Sequence, residues 1–315
     1  MKVLRILCLS TVLLGAYALY GQSGDYFRQH WNVPTYYHPG QAGENTDMRL
    51  TVAGEMDATG FRKAPKHLFA SADYGFRTRG AGIIGLGASF DMQNRGYLRN
   101  KSAFLQVSRK WRLGKGRIKT GLQAGMTLLT YDPTLTWLGT TTPDLSNYAA
   151  TTRHANLNLA LGIGYQNSRL NTDFSIHNLT SPYVLLGEDS TYTQKTALYG
   201  DISYNIPTRS SLLWLKPSLL LRYQQGEVFA DLTARLFKQW GKTVCYIGLG
   251  YTPGNEVAAF AGVTFTQVKI GYSYERLQNN AKHEVLGRHE LTVSYRINTY
   301  NTGRHKGTYK SVRFL

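Results

Sequence analysis

From about residue 48 to residue 298 the chain repeats an alternation of apolar and polar residues with period two. In the last such stretch Leu291, Val293, Tyr295 and Ile297 alternate with Thr292, Ser294, Arg296 and Asn298. Successive side chains of a strand point to opposite faces, so this is a strand with one greasy and one wet face. Read this way, strands lie near 48–58, 67–77, 81–92, 102–112, 117–131, 153–166, 170–179, 196–206, 212–225, 227–238, 243–252, 256–266, 268–278 and 287–298. A soluble sandwich also makes such strands. An even set of fourteen, most long enough to cross a bilayer when tilted, favours an all-β transmembrane antiparallel barrel, with closure removing the sticky edges.

What precedes the strands agrees. Lys2 and Arg5 lead into an apolar stretch from Ile6 to Tyr20 that ends in Gly21-Gln22-Ser23, the pattern of a secretory signal peptide over residues 1–21, with cleavage expected before Gln22. The stretch is shorter than the roughly 20 apolar residues a membrane anchor needs. Cys8 lacks the small residues that lead to a lipidated cysteine, and Cys245 alone remains in the mature chain, so no intramolecular disulfide is expected. No later run of 18 apolar residues exists, which excludes spanning by helices. The formal charge is +17 at pH 7, part of it Lys2 and Arg5. Export argues against nucleic acid and points to anionic lipid or an acidic partner in the outer membrane.

Connections alternate in length. Gly114-Lys115-Gly116, Asn167-Ser168-Arg169, Pro207-Thr208-Arg209-Ser210 and Trp240-Gly241-Lys242 are short, whereas 132–152, 180–195 and 279–286 are long. In outer-membrane barrels short turns are periplasmic, which puts both termini there. The alternation is imperfect: Gln224 to Glu227 and Pro253 to Glu256 are short on the opposite rim. The short-turn rim is basic, with Arg77, Arg79, Arg112, Lys115, Arg117, Arg169, Arg209, Lys238 and Lys242, and the tail 299–315 adds Arg304, His305, Lys306, Lys310 and Arg313 without an acid. Attraction to lipid headgroups explains such a rim as well as an acidic partner does; for the tail, which outruns the last strand, Arg304, Lys306, Lys310 and Arg313 are candidate docking residues.

The outward set is apolar, for instance Leu68, Ala70, Ala72, Tyr74 and Phe76, or Leu157, Leu159, Leu161, Ile163 and Tyr165. The inward set mixes signs: Arg49, Glu55, Asp57, Asp73, Asp91, Asp173, Asp201, Lys216, Arg222, Asp231, Arg235, Lys269, Glu275 and Arg296. A hydrocarbon conduit needs an apolar bore and a selective ion pore rings of one sign. The mixed lumen, with Arg49, Asp73, Asp231, Arg235, Lys269 and Arg296 as representative charges, implies a bridging ion network or a plug. Residues 22–47 form an N-terminal leader in which Pro39 and Gly40 bar a strand, so it either plugs the lumen or lies across the periplasmic mouth. Arg28 and His30 could then meet lumen acids, and Trp31, Tyr36 and Tyr37 argue against disorder.

Signs of catalysis are weak. Gly85-Leu86-Gly87, Gly162-Ile163-Gly164 and Gly248-Leu249-Gly250 lie inside alternation and open no helix, so each reads as glycine relieving crowding in a curved strand. His283 and His289 lack a third metal ligand at useful spacing, no Gly-x-Ser-x-Gly elbow occurs, and Cys245 has no positioned base. No enzyme, metal or cofactor is expected.

Two end segments, YFRQHWNVPTYYHPGQAG (26–43) and IGYSYERLQNNAKHEVLGRHELTVSYRIN (270–298), resemble the PorP/SprF family of outer-membrane proteins of the type IX secretion system. GFRKAPKHLFASADYGF (60–76) and GIIGLGASFDMQNRG (82–96) are similar to its weaker middle pattern. Pro39, Ala42 and Gly43 match the Asn-Pro-Ala-x-x-Gly region, with His38 in the asparagine position; Gly271, Tyr272, Tyr274 and Glu275 match the penultimate strand; Gly287, His289 and Glu290 match the final motif, where His289 and Glu290 could fix closure against the first strand. Lys66-His67 stands where many members have tryptophan. The resemblance implies a non-enzymatic barrel that docks periplasmic and outer-membrane components of the machine and serves export of proteins with C-terminal sorting domains, in some members gliding adhesins. The alternative from composition and strands alone is a channel for small or hydrophobic solutes.

Overall fold

The alternating segments are strands in a computed structural model. It describes residues 26–44, 46–57, 65–78, 82–132, 151–186, 190–253, 256–276 and 287–297. The wall begins with β1 (Met48–Met56), β2 (Lys66–Arg77), β3 (Ile83–Arg95), β4 (Leu98–Leu113), β5 (Gly116–Tyr131), β6 (Thr152–Gln166) and β7 (Leu170–His177). A hairpin follows, β8 (Tyr183–Leu186) with β9 (Ser190–Thr193); the wall resumes with β10 (Ala197–Tyr204), which a two-residue β11 (Ile206–Pro207) follows. It ends with β12 (Leu213–Gln224), β13 (Glu227–Trp240), β14 (Thr243–Thr252), β15 (Glu256–Phe265), β16 (Val268–Arg276) and β17 (Arg288–Ile297). Wall strands that follow one another pair antiparallel, with β7 pairing β10 past the separate β8–β9 hairpin and β10 pairing β12, and β1 pairs with β17 from Met48 opposite Ile297 to Met56 opposite His289. The result is a closed fourteen-stranded barrel, so every wall strand has a partner on both sides.

The stretch 180–195 is not a plain loop. Its hairpin folds back on β6, where Asn156 donates through Nδ2 to the Tyr183 carbonyl at 2.9 Å and accepts from the Tyr183 amide at 3.2 Å, and Val184 is fully buried. The pattern Tyr-Val-Leu-Leu is too short for periodicity to separate from a loop. A further short connection, Gly96-Tyr97, lies on the long-connection rim, with Gly96 at φ +51°.

Large apolar side chains stand out from the wall in a belt; Leu105 is 69% and Leu249 66% exposed, and Val52, Ile84, Leu122, Ile163, Leu232 and Val257 join them. Polar side chains line much of the inside, Ser71, Gln106, Lys110, Lys119, Gln123 and Thr127 all being buried, beside two clusters of mostly aromatic residues around Phe69 and Phe260. Apolar outside and polar inside is the reverse of a water-soluble protein and suits strands whose outer face meets lipid. Among the described residues no helix is long and apolar enough to cross a membrane.

The leader lies inside the barrel. Tyr26, Phe27, Arg28 and Gln29 are buried, followed by a one-turn helix α1 (Pro34–Tyr37) and a 3-10 turn (Pro39–Gln41). Both begin with proline, whose missing N–H is an unpaired donor position in any case. The start of the leader touches Phe229 and Arg288, near the long-connection rim, and its end touches Asp73 and Gly85 in the other half. Its two ends therefore occupy opposite halves of the barrel, while β1 begins and β17 ends at the short-turn rim.

Candidate functional site

The site is the leader together with the wall that holds it. Its deepest part is an ion cluster. Arg28 pairs with Asp231 at 3.2 Å and with Glu275, and donates to the Thr252 hydroxyl. Arg288, the first residue of β17, reaches Glu55 at 3.3 Å, Asp57 at 3.1 Å and Glu275 at 3.3 Å. Glu290 accepts the backbone N–H groups of Arg28 (2.6 Å) and Gln29 (3.1 Å). A carboxylate thus satisfies two main-chain donors that a non-helical, non-strand leader would otherwise bury unpaired.

Aromatic and amide packing continues along the leader. Phe27 lies against His67 (ring centroids 4.1 Å apart) and Phe69, and His67 bonds Asp91 at 2.5 Å. His67 thus gives the leader the aromatic face that a tryptophan would present. His30 meets Asp201 at 3.0 Å, and Asn32 donates to Gln29, Tyr246 and Thr292. The Tyr37 carbonyl accepts from Ser175 Oγ and lies 2.6 Å from His177 Nε2. His38 is bonded through Nδ1 to Ser175; burial lowers its pKa against the pull of Asp173 and Asp201, which favours the neutral ring.

At the end of the leader the Ala42 carbonyl accepts from Ser108 Oγ (2.6 Å) and Lys110 Nζ (2.5 Å), and the Gly43 amide donates to Asp73 at 2.8 Å. Asp73 is itself held by Arg49 at 2.9 Å. Gly43 has φ +57°, and a Cβ there would meet the Tyr74 carbonyl and Gly85. Burial pushes the Glu44 carboxyl up, but Arg49, Lys119 and the bond from Gln166 bring it down to about 2.

The glycine pairs in the wall serve this approach. A side chain on Gly85 would strike the Ala42 carbonyl, and one on Gly121 would strike the Pro39–Gly40 backbone; Pro39 also lies over Gly162. Curvature was the reading from sequence for Gly85 and Gly162. The structure adds a second reason, the close passage of another backbone.

The residues of the family resemblance fall into two groups. Pro39, Ala42 and Gly43 belong to the leader, and Gly271, Glu275 and Glu290 are the wall positions it touches, Gly271 lying against Gln29 and Asn32. Tyr272, Tyr274 and His289 instead face outward, with the Tyr272 hydroxyl 2.7 Å from His289 Nδ1 and the Tyr274 ring 5.1 Å from the His289 ring. Gly287, at φ +85°, turns the chain into β17. In the β1–β17 seam Glu290 stands opposite Glu55 and His289 opposite Met56. Of the lumen charges, Arg49 meets Asp73, Asp231 meets Arg28, and Arg235 lies 3.7 Å over the Trp31 ring, while Lys269 and Arg296 line the short-turn mouth. Arg304, Lys306, Lys310 and Arg313 lie outside the described residues, as do residues 1–21.

Lys110, Lys119 and Arg288 went unremarked in the sequence. Lys119 pairs with Asp173 at 2.9 Å. The inward parity of β4 and β5 was the signal that could have found the two lysines. Among the described residues no group of three His, Cys, Asp or Glu is placed to hold a metal.

Known structures share the architecture. A TodX monoaromatic hydrocarbon channel mutant (deltaS2S3) superposes with a TM-score of 0.51 at 9% identity, covering 90% of this chain and 98% of that one. The P. putida toluene transporter TodX gives 0.51 at 9% identity, covering 89% and 97%. At such identity the likeness is one of fold, that of an outer-membrane barrel. No curated relative matches the chain. The family model for the type IX secretion system membrane protein PorP/SprF matches residues 20–295. That span takes in the leader, its wall contacts and nearly all of the last strand, and the chain belongs to the PorP/SprF family.

Proposed function

We propose that this barrel is a closed, non-enzymatic docking platform of the type IX secretion machine. A signal peptide over residues 1–21 directs it to the outer membrane, the short-turn rim and both ends of the mature chain face the periplasm, and periplasmic components dock there in support of export of proteins with C-terminal sorting domains. The observation that carries this reading is the leader, which occupies the bore and spends the wall's buried acids on Arg28 and two of its own amides. A bore filled this way suits a scaffold better than a conduit for solutes. The exposed cations of the short-turn rim, Arg77, Arg112, Lys115, Arg169, Arg209, Lys238 and Lys242 among the described residues, give an acidic partner an approach by long-range attraction.

The test is the location of sorting-domain cargo after deletion of the gene, with outer-membrane permeability to small dyes followed in parallel. Cargo is expected to accumulate in the periplasm at unchanged permeability. Normal cargo with reduced solute uptake would instead establish the channel function. A narrower variant, deletion of residues 299–315, should leave the barrel folded and weaken co-purification of periplasmic components; unchanged co-purification would remove the tail from the docking surface.

A further inference from the structure

The lumen is not evenly charged. Toward the long-connection rim, Arg28 and Arg288 face five carboxylates: Glu55, Asp57, Asp231, Glu275 and Glu290. Toward the short-turn mouth the balance reverses around a cavity of about 190 Å³ that Arg49, Lys216, Arg235, Lys269 and Arg296 line. Its acids are already engaged: Glu44 with Arg49 and Gln166, Asp173 with Lys119 and Gln41, Asp201 with His30. Arg49 is neutralised by Asp73.

The other four of these five cations have no carboxylate within ion-pair distance among the described residues. The side chains of Lys216, Lys269 and Arg296, all lining the cavity, have no hydrogen bond or ion pair among the described residues. Arg235, 1% exposed, gives one Nη to Ser218 and lies over Trp31, but its Nε has no hydrogen-bond partner. Strand register presses like charges together, Lys216 opposite Arg235 and Arg296 opposite Arg49, with Lys269 opposite Ser294 and so diagonal to Arg296. Directly opposed like charges destabilise a sheet.

We propose that this mouth is a socket for an acidic peptide segment of a partner protein, two or three of whose carboxylates enter from the short-turn side and meet Lys216, Lys269, Arg296 and the Nε of Arg235. The cavity faces the barrel axis, away from the lipid belt, so a peptide reaches it more readily than a lipid headgroup does. Asn205 and Gln267 at its edge offer amide partners to a main chain. The exposed basic rim steers an acidic segment toward it. The inference rests on the docking reading and names the chemistry of one docking segment.

The test is binding of fluorescein-labelled hexaglutamate to the full chain in a neutral detergent, with hexalysine as control and phosphatidylglycerol mixed micelles as competitor. Hexaglutamate should bind, weaken with salt, and lose about tenfold or more in affinity in the double variant Lys216→Gln/Lys269→Gln, with an unchanged loss when residues 299–315 are also absent. The double variant should melt no lower than the parent, since it removes charges that have no partner. Equal affinity of the parent and the double variant overturns the socket, as does a lowered melting point or a loss confined to phosphatidylglycerol. If hexaglutamate ignores the socket while periplasmic components still co-purify, the socket fails and the docking function stands; if co-purification fails with hexaglutamate binding intact, the reverse holds.

Discussion

Replacing Arg28 by alanine is expected to release the leader from the bore while the fourteen strands stay paired. The guanidinium is fully buried and serves Asp231 and Glu275 at once. Glu275 keeps Arg288 as a partner, but Asp231 is left dehydrated and uncompensated, and breaking a buried pair in this way costs about 3–5 kcal/mol. Lysine at this position keeps the charge but not the fork that spans both acids, so it should restore only part of the loss. Limited proteolysis reads the outcome. In the parent, sites among residues 26–43 are protected; in Arg28→Ala they should be cut at a rate higher by two or more orders of magnitude, on the order expected for 3 kcal/mol, with the strand content by circular dichroism unchanged. Protection equal to the parent's would mean that the aromatic contacts of Phe27 and Trp31 hold the leader by themselves.

Deleting residues 26–43 altogether should convert a closed barrel into a conductor. The leader contributes no strand, and the ladder from β1 round to the β1–β17 seam is complete without it. Its removal empties the axis and leaves a lumen with acids clustered at one end and cations at the other. In planar bilayers the deleted form should show long-lived openings of large conductance, whereas the parent should show few or none. Water would enter and hydrate Glu275, Glu290 and Asp231, so the buried-charge penalty that operates in the Arg28 variant does not follow here. Absence of conductance from a folded, strand-rich deletion form would place the block in the wall itself and remove the leader from that role.

Most of the wall was legible in the sequence because a lipid-facing strand must alternate, and alternation has no competing explanation over ten residues. β14, from Thr243 to Thr252, is where its pattern of Val244, Tyr246 and Gly248 against Ile247, Leu249 and Tyr251 places it. Element ends were less visible: β4 begins at Leu98 and not near 102, since Arg99 and Lys101 interrupt the apolar set. The β8–β9 hairpin escaped because four-residue strands carry too little periodicity. The leader showed its aromatics and its prolines, and the sequence suggested acids for Arg28 and His30, but not which ones. Asp231, Glu275 and Asp201 sit at least 170 residues away along the chain, and only barrel closure brings them to the axis. The division of the end motifs into leader-facing Glu290 and outward His289 was legible in principle, because adjacent residues on a strand face opposite ways. The partners on each face were not.

The direction in which the leader can move is fixed by where it is tied. Only residues 44–47 separate it from Met48 at the short-turn rim, while Tyr26 lies deep toward the far end. A leader that leaves the bore completely must therefore emerge at the short-turn mouth, drawn backward past its own anchor. Fully extended, its 18 residues span at most about 60 Å, longer than a bilayer is thick. An element that takes hold of it on that side would thus hold a tether of defined reach, and its pull would open a path along the barrel axis with no strand having to unzip.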